Sequence, residues 1–274
     1  MKNIKTVNIH KQTSEENTTH KEDKIVVEAP LQIIIAYNHK GERRKEILSV
    51  TMRTPGDDFD LVTGFLFNEA IITKASDIVK MRYTSDDESI LLAQLNDRVE
   101  IKIDEIKRNF IANSACGFCG RLDDVSQKNA FIPVENNLKI TPVMLHALPA
   151  LLQSSQSLFT ETGGAHAVAL LNIKGELLHI IEDVGRHNAM DKLVGKMLKQ
   201  NALPIHEHIV LFSGRLSYEL IQKSLMAGIS IVCAIGAPTS LAVELAEDYG
   251  LTLIGFLKKE SFNIYCGAQR IIQL

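Results

Sequence analysis

Two of the chain's four cysteines, Cys116 and Cys119, are separated by only two residues, in the stretch Ser-Ala-Cys-Gly-Phe-Cys-Gly-Arg. A C-x-x-C pair is typical of three chemistries: redox exchange, metal ligation and sulfur handling. Gly117 and Gly120 punctuate the stretch and favour a loop over a regular helix or strand. The remaining sequence discriminates between these three chemistries.

A zinc site needs two further His or Cys ligands, and the sequence contains no second C-x-x-C. Zinc deaminases carry a histidine followed two positions later by a glutamate, and a later P-C-x-x-C motif. Here Val168 stands where His166 would need that glutamate, and Ala115 precedes Cys116. The acid/base residue of a deaminase is therefore missing, whereas ligation by His166, His187 or Cys266 stays open.

Redox exchange of the thioredoxin type expects the first cysteine at a helix start within a βαβ unit, and no such unit surrounds Cys116. Sulfur transfer needs a thiolate on an accessible, movable arm, and the flanking glycines suit that requirement. Attack of a thiolate on a donor's persulfide is the same displacement as thiol–disulfide exchange. Cys116 would then carry the sulfur, Cys119 would assist or resolve, and Arg121 would favour the thiolate. Cys233, inside the apolar run Ile-Val-Cys-Ala-Ile, is expected to be buried and inert.

The composition bounds the class of protein. The chain has 274 residues, 45% of them hydrophobic, and a net charge of −3. A non-specific nucleic-acid binder would usually be strongly basic, so no nucleic-acid partner is expected. The sequence lacks an uncharged apolar run long enough for a membrane span, and residues 1–23 lack the apolar core of a secretory signal. We therefore expect a cytoplasmic protein with mostly reduced cysteines.

Composition and periodicity divide the chain into four parts. Residues 1–24 are expected to be a disordered polar tail, and residues 25–112 an N-terminal α+β domain. Residues 113–137 would hold the cysteine loop and a linker, and residues 138–274 an α/β domain.

The N-terminal domain is predicted to begin with a hairpin over residues 31–52 and a helix that Thr54 caps, with Pro55 at its first position. Three further strands are expected at residues 79–83, 89–95 and 99–103. The acidic residues Asp57, Asp58 and Asp60 are interpreted as favourable charges at the helix N-terminus rather than as a metal cluster.

The second domain is predicted to start with a helix over residues 138–158 and to continue as short alternating strands and helices. That rhythm indicates a largely parallel sheet covered on both faces. Ligands of such sheets bind beyond the carboxyl ends of the strands. The residues that follow the strands there include four cations, and small residues at helix starts that favour anions: Arg186, Arg215, Lys258, Lys259, Ser213, Gly214, Gly236 and Ser240. We therefore predict a phosphorylated ligand, such as a nucleotide, at this edge.

Four polar residues lie near that edge. His166 is either a core histidine or a ligand-binding one, whereas His187, between Arg186 and an asparagine at a helix start, favours a polar role. Glu182 and Asp183 would either pair with Arg186 structurally or take part in catalysis.

Five segments together are similar to those of the FdhD family, and the similarity runs in order from about residue 25 to the C-terminus. They are C-G-F-C-G from Cys116, T-G-G-A-H-A from Thr162, E-D-V-G-R-H-N-A-M-D-K-L from Glu182, S-G-R-L-S-Y-E from Ser213 and L-T-L-I-G-F from Leu251.

This resemblance implies a sulfurtransferase with a cysteine persulfide intermediate. It would accept sulfur from a cysteine desulfurase and pass it to the molybdenum cofactor, bis-molybdopterin guanine dinucleotide, for formate dehydrogenase. Cys116 would be the carrier, and the cofactor-binding segment would be Phe256, Leu257, Lys258, Lys259, Glu260 and Ser261, where family members often carry Lys-Pro-Gly-Arg in place of Lys-Lys-Glu-Ser.

The resemblance further implies a homodimer and a cytidine-deaminase-like three-layer α/β/α core without zinc chemistry, preceded by a smaller N-terminal α+β domain. The cofactor would be a bound substrate, and no metal of the protein's own is expected. The strand-end residues His166, Arg186, His187, Ser213 and Arg215 would complete the cofactor cradle. The competing hypothesis is a zinc- or cofactor-binding chaperone that holds the cofactor without moving sulfur.

Overall fold

The computed structural model describes residues 3–12, 14, 18–101, 131–135 and 138–272. The predicted cysteine loop, with Cys116 and Cys119, lies outside these residues. The described part forms an N-terminal hairpin, a four-stranded sheet and a six-stranded sheet with their helices.

The N-terminal tail prediction is wrong for most of its length. Strands β1 (Ile4–Gln12) and β2 (Thr18–Val26) pair antiparallel over nine residue pairs. Most side chains of the two strands are exposed and none is buried, so the sequence lacks the regular apolar alternation that marks a half-buried strand. An exposed ion pair of 2.7 Å joins Lys24 of the hairpin to Glu161, much later in the chain.

The first large sheet contains β3 (Ala29–His39), β4 (Glu42–Arg53), β5 (Ile78–Tyr83) and β6 (Ile90–Leu95), in the order β4-β3-β6-β5. The predicted hairpin and two of the three predicted later strands are confirmed. The third is wrong for residues 99–101, which are not a strand. Helix α1 (Asp58–Asn68) packs on one face, where Ile33, Ile35 and Leu91 meet Leu61 and Leu66 in one buried cluster.

The start of α1 differs from the prediction. Thr54 does not cap it; the N-cap is Asp57, which has a left-handed backbone with φ of 53°. Asp58 is not a solvated helix-terminal charge, because it is 1% exposed and lies 2.7 Å from the fully buried guanidinium of Arg53. Asp60 pairs with Lys199 at 2.7 Å. Two of the three acidic side chains therefore join elements together rather than merely favouring a helix end.

The predicted helix over residues 138–158 is two helices, α2 (Pro142–Ser155) and α3 (Ser157–Thr162), which break at Gln156. The first helix begins at Pro142 rather than at residue 138, and Thr141 caps it, since the backbone N–H of Met144 donates to the Thr141 hydroxyl at 3.2 Å. Helices α4 (Arg186–Lys199), α5 (Tyr218–Met226) and α6 (Ser240–Asp248) follow later in the chain.

The second sheet has six strands: β7 (His166–Asn172), β8 (Leu177–Asp183), β9 (His208–Phe212), β10 (Ile231–Ala234), β11 (Thr252–Gly255) and β12 (Asn263–Cys266). Its order is β12-β11-β10-β9-β7-β8, and only β9, β10 and β11 are mutually parallel. The sheet is therefore mixed rather than largely parallel. The connection between β7 and β8 is a short turn, and a turn of that length can join only antiparallel strands.

Helices cover both faces of the six-stranded sheet, as predicted. On one face α4, α5 and α6 pack with Val168, Val210 and Val232 in one buried cluster. On the other face α2 packs with Leu211 and Ile231 in a second cluster. The observed architecture is a mixed α/β fold in which helices cover both faces of the six-stranded sheet and the four-stranded sheet precedes it in the chain.

Candidate functional site

At one edge of the six-stranded sheet, β8, β9, β10 and β11 end, and β7 and β12 begin. β9, β10 and β11 end there, because they are parallel. β7 runs antiparallel to β9, so it starts at the same edge, where His166 pairs with Asp183 at the end of β8. All the strand-end residues that the sequence predicted as a ligand cradle, from His166 to the segment 256–261, therefore share this edge. What they bind stays a prediction.

Backbone hydrogen bonds hold the three parallel-strand turns side by side. Leu216 N–H donates to the Ala237 carbonyl, and Phe256 N–H donates to the Gly236 carbonyl, each at 3.0 Å. A Cβ at Gly236 would lie 2.8 Å from the Gly214 carbonyl oxygen and 2.9 Å from the Arg215 nitrogen. Position 236 therefore needs glycine for the two backbones to approach.

Ser213 lies at this edge but already has a structural partner. Its hydroxyl oxygen accepts a hydrogen bond of 2.9 Å from the backbone N–H of Ala167, and its own N–H donates to the Ala167 carbonyl at 3.0 Å. This exchange fixes the start of β7 against the end of β9. The Ser213 hydroxyl can still donate a hydrogen bond to a ligand.

His187 is held by residues that the sequence analysis did not single out. Its Nε2 lies 3.1 Å from Ser217 Oγ and 3.1 Å from Glu219 Oε2. Burial, followed by the positive charges of Lys223 and Arg186, lowers the pKa of His187 to about 3. The imidazole is therefore neutral at physiological pH, and Nε2–H can donate to Glu219.

Arg186 brings positive charge into the middle of the edge. It lowers the pKa of His166, after burial, and of His187, so the three side chains lie within electrostatic reach of one another. Its Nε is buried and has no hydrogen-bond partner within the described chain. A buried donor without a partner is costly, so this guanidinium is suited to an anionic ligand. Arg215 is exposed at the same edge.

The segment after β11 divides into an anchor and an exposed part. Leu257 is 1% exposed and belongs to the core cluster beneath α2, so its side chain anchors the segment instead of facing a ligand. Phe256 is 42% exposed and has a left-handed backbone with φ of 51°. Such strain in a non-glycine residue clusters at functional sites. Lys258 N–H donates to the Ser261 carbonyl at 2.8 Å, which closes a turn of exposed residues with Lys259 and Glu260.

The adjacent acidic residues Glu182 and Asp183 are structural. Glu182 accepts hydrogen bonds of 2.9 and 2.8 Å from the backbone N–H groups of Leu158 and Phe159, at the start of α3. Asp183 is fully buried and lies 2.7 Å from the buried ammonium of Lys192, not beside Arg186. Glu182 and Asp183 therefore have structural partners other than Arg186.

The two described cysteines are poor nucleophiles. Burial raises the pKa of Cys233, whose side chain is fully buried. Burial also raises the pKa of Cys266 to about 11, and its Sγ lies 3.1 Å from the Leu251 carbonyl. Both thiols are therefore protonated near neutral pH.

No group of three or more His, Cys, Asp or Glu side chains in the described ranges is placed to hold a metal ion. Within the same residues, no helix combines the length and the apolar character needed to cross a bilayer.

Comparison with known proteins gives consistent matches over almost the whole chain. Residues 26–272 match the FdhD/NarQ family. A protein of Nocardia farcinica named sulfur carrier protein FdhD is 42% identical over 260 residues, which cover 92% of this chain and 89% of the relative. A protein of the same name from Sulfurisphaera tokodaii is 39% identical over 273 residues, covering 98% and 99%.

The fold also matches a crystal structure of a candidate formate dehydrogenase accessory protein from Desulfotalea psychrophila. The TM-score is 0.74 at 23% identity, and the match covers 98% of this chain and 99% of the other. At that identity the match supports the fold alone.

Proposed function

Because the chain belongs to the FdhD/NarQ family, we propose that it is a sulfur carrier for the maturation of formate dehydrogenase. Cys116 accepts a sulfur atom from the persulfide of a cysteine desulfurase. The sulfur then passes to the molybdenum cofactor, bis-molybdopterin guanine dinucleotide, which binds at the sheet edge as substrate. The names of the relatives support the carrier role, and the donor and the acceptor are part of the proposal.

The observation that carries the cofactor part of the proposal is the convergence at one edge of Arg186, Arg215 and the turn 256–261. The buried, unpartnered Nε of Arg186 is suited to a phosphate oxygen, since guanidinium groups bind phosphate in a fork. The exposed ring of Phe256 offers an aromatic face to a base. The neutral imidazole of His187, held by Ser217 and Glu219, would add no charge to the binding edge.

The proposed chemistry is a sequence of sulfur displacements. The Cys116 thiolate attacks the terminal sulfur of the donor persulfide, a new S–S bond forms at Cys116, and the donor cysteine leaves as its thiolate. Attack of the Cys119 thiolate on the Cys116 sulfur then releases sulfide to the acceptor and leaves a disulfide between the two cysteines. A cellular dithiol must reduce that disulfide before the next cycle.

The raised pKa values of Cys233 and Cys266 support Cys116 as the carrier, because the thiolate is the nucleophile. The cytidine-deaminase-like arrangement, the homodimer and the cytoplasmic location belong to the same proposal. So does the expectation that the protein has no metal of its own.

The test is the mass of the intact protein after incubation with a cysteine desulfurase and cysteine. We expect a gain of about 32 Da, one sulfur atom, which peptide mapping assigns to Cys116. Cys116→Ala should abolish the gain, whereas Cys266→Ala should keep it.

Sulfur on Cys266, or an equal gain in Cys116→Ala, would contradict the assignment of the carrier. Stoichiometric zinc that is lost in both Cys116→Ala and Cys119→Ala would favour the cofactor-holding chaperone. A loss of folding in Cys116→Ala, read from circular dichroism, would identify a structural thiol rather than a carrier.

A further inference from the structure

The outer face of the four-stranded sheet, opposite α1, has basic residues on both of its edge strands. Across the sheet, Lys45 of β4 pairs with Ala36, Ala36 with Gln94, and Gln94 with Lys80 of β5. One step further along, Arg82 of β5 lies opposite Leu92. The cations therefore lie on the two edge strands, on either side of the surface that β3 and β6 form.

Five cations, together with Ala36, Leu92 and Gln94, line a cavity of about 230 Å³ on this face. We call these five cations the basic face: Arg43, Arg44, Lys45, Lys80 and Arg82. Ala36 and Leu92 are only 7% and 8% exposed. The aliphatic stems of the cations explain this burial, because long basic side chains cover apolar surface while their charged ends stay in water.

The charge of the basic face is only partly neutralised. Arg43 lies 3.3 Å from Asp97, and Arg44 lies 3.7 Å from Glu42. Lys45, Lys80 and Arg82 have no carboxylate partner within the described chain. The protein as a whole carries a net charge of −3, so this concentration of positive charge is local.

An exposed apolar stripe continues from the basic face along β4. Ile47, Val50 and Met52 are 58%, 61% and 47% exposed. Thr51, between the last two, faces the other way, since its hydroxyl donates to Asn188 of α4 at 3.0 Å. No described part of the chain covers the stripe. Contiguous exposed apolar side chains beside arginines are typical of protein interaction sites.

From these features we propose that the outer face of the N-terminal sheet is a docking surface for an acidic amphipathic helix of a partner protein. Its carboxylates would pair with Lys45, Lys80 and Arg82, and its apolar side chains would cover Ile47 and Val50. This surface belongs to a different sheet from the cofactor edge, and the proposal does not depend on sulfur transfer.

The dimensions of the surface suit a helix. The two basic edges are three strand spacings apart, about 14 Å. An α-helix with its side chains is about 10–12 Å in diameter, so a helix that lies on this face can reach the charged ends of the cations on both edges. A small anion could use the cations but would leave the apolar stripe uncovered, which is why a protein segment is the better occupant.

The test uses the full chain and a fluorescein-labelled amphipathic peptide of about 18 residues, built from Glu, Ala and Leu with Leu at helical spacing. We expect binding that weakens as salt increases. Lys80→Glu combined with Arg82→Glu should weaken binding at least about tenfold. Ile47→Ser combined with Val50→Ser should also weaken it about tenfold, by removing the apolar contact.

The matched control is Lys21→Glu combined with Lys174→Glu, which makes the same charge change at exposed sites elsewhere. Equal weakening in this control, or equal binding of a peptide with Lys in place of Glu, would overturn the proposal. Binding of inorganic pyrophosphate that depends on Lys80 and Arg82, without peptide binding, would show a small-anion site instead. Dissociation of a dimer by the Ile47 and Val50 substitutions, seen in sedimentation, would identify a second copy as the occupant.

Discussion

The backbone N–H of Thr54 donates a hydrogen bond of 3.2 Å to Oδ2 of Asp183, and the Thr54 hydroxyl accepts one of 3.0 Å from Val184. Thr54 follows Arg53, the last residue of β4, and Asp183 ends β8, the strand that leads into the candidate site. Lys192 of α4 completes the junction by donating to the Thr54 carbonyl at 2.9 Å. The position of Arg186 and His187 at the start of α4 thus depends on contacts with the first sheet.

Removing the Asp183 carboxylate should be strongly destabilising. Asp183→Ala would leave the Lys192 ammonium, which is 2% exposed, without its counter-charge. Breaking a buried pair in this way typically costs about 3–5 kcal/mol in the free energy of unfolding. Urea denaturation measures it, and Glu161→Gln, which breaks the exposed pair with Lys24, should cost less than about 1 kcal/mol. A loss of unfolding free energy in Asp183→Ala as small as that in Glu161→Gln would mean that the junction contributes little to stability.

Helices α1 and α4 cross at two glycines and should not tolerate a larger residue there. A Cβ at Gly64 would overlap the Asp191 carbonyl, and a Cβ at Gly195 would overlap the Asp60 carbonyl. Because backbone atoms cannot move aside cheaply, Gly64→Ala should lower the unfolding free energy by about 3 kcal/mol, the upper end for overpacked sites.

The comparison variant for this crossing is Gly163→Ala. Position 163 has open space around a Cβ, so only its left-handed φ of 67° makes alanine unfavourable. We expect a cost of about 1 kcal/mol there. Thermal or urea unfolding that ranked Gly163→Ala as the more harmful change would contradict the close helix crossing.

Much of the site's location follows from the sequence, because the carboxyl ends of parallel strands share an edge wherever the strands pair. The partners of individual side chains do not follow in the same way. Thr54 precedes a proline in a local capping pattern, yet it bonds residues 129 and 130 positions later along the chain. Glu219 as a partner of His187 likewise depends on the packing of α5 against α4, which no local pattern encodes. Leu257, in the middle of the predicted binding segment, is in the core because the chain there still hydrogen-bonds to β10 through the Ala234 carbonyl.

Acidification should destabilise the protein through His187. Burial and then the charge of Lys223 lower its pKa to about 3 in the folded state, against an ordinary value of 6.5. Below pH 6.5 the unfolded chain takes up a proton that the folded protein does not, so the free energy of unfolding falls as the pH falls towards 3. The slope from this one group is up to about 1.4 kcal/mol per pH unit.

Urea denaturation of the wild type and of His187→Gln at pH 7 and pH 5 measures this contribution. The wild type should lose about 2 kcal/mol more than the variant between the two pH values. The buried carboxylates and His166, whose pKa burial also lowers, are present in both proteins and cancel in the comparison. Parallel stability curves would show that His187 takes up its proton at the same pH in the folded protein as in the unfolded chain.

The last prediction concerns the phosphate-binding role of Arg186. If the sheet edge binds the guanine dinucleotide part of the cofactor, guanosine diphosphate should bind there as a fragment, and calorimetry can measure its affinity. Arg186→Gln should weaken binding about tenfold or more, since a charge-assisted hydrogen bond contributes about 1.5–3 kcal/mol. Lys174→Gln, a cation in the β7–β8 turn at the opposite end of these strands, should leave the affinity unchanged. Loss of binding in both variants would indicate only general electrostatic attraction, whereas unchanged binding in Arg186→Gln would mean that its buried Nε does not face the ligand.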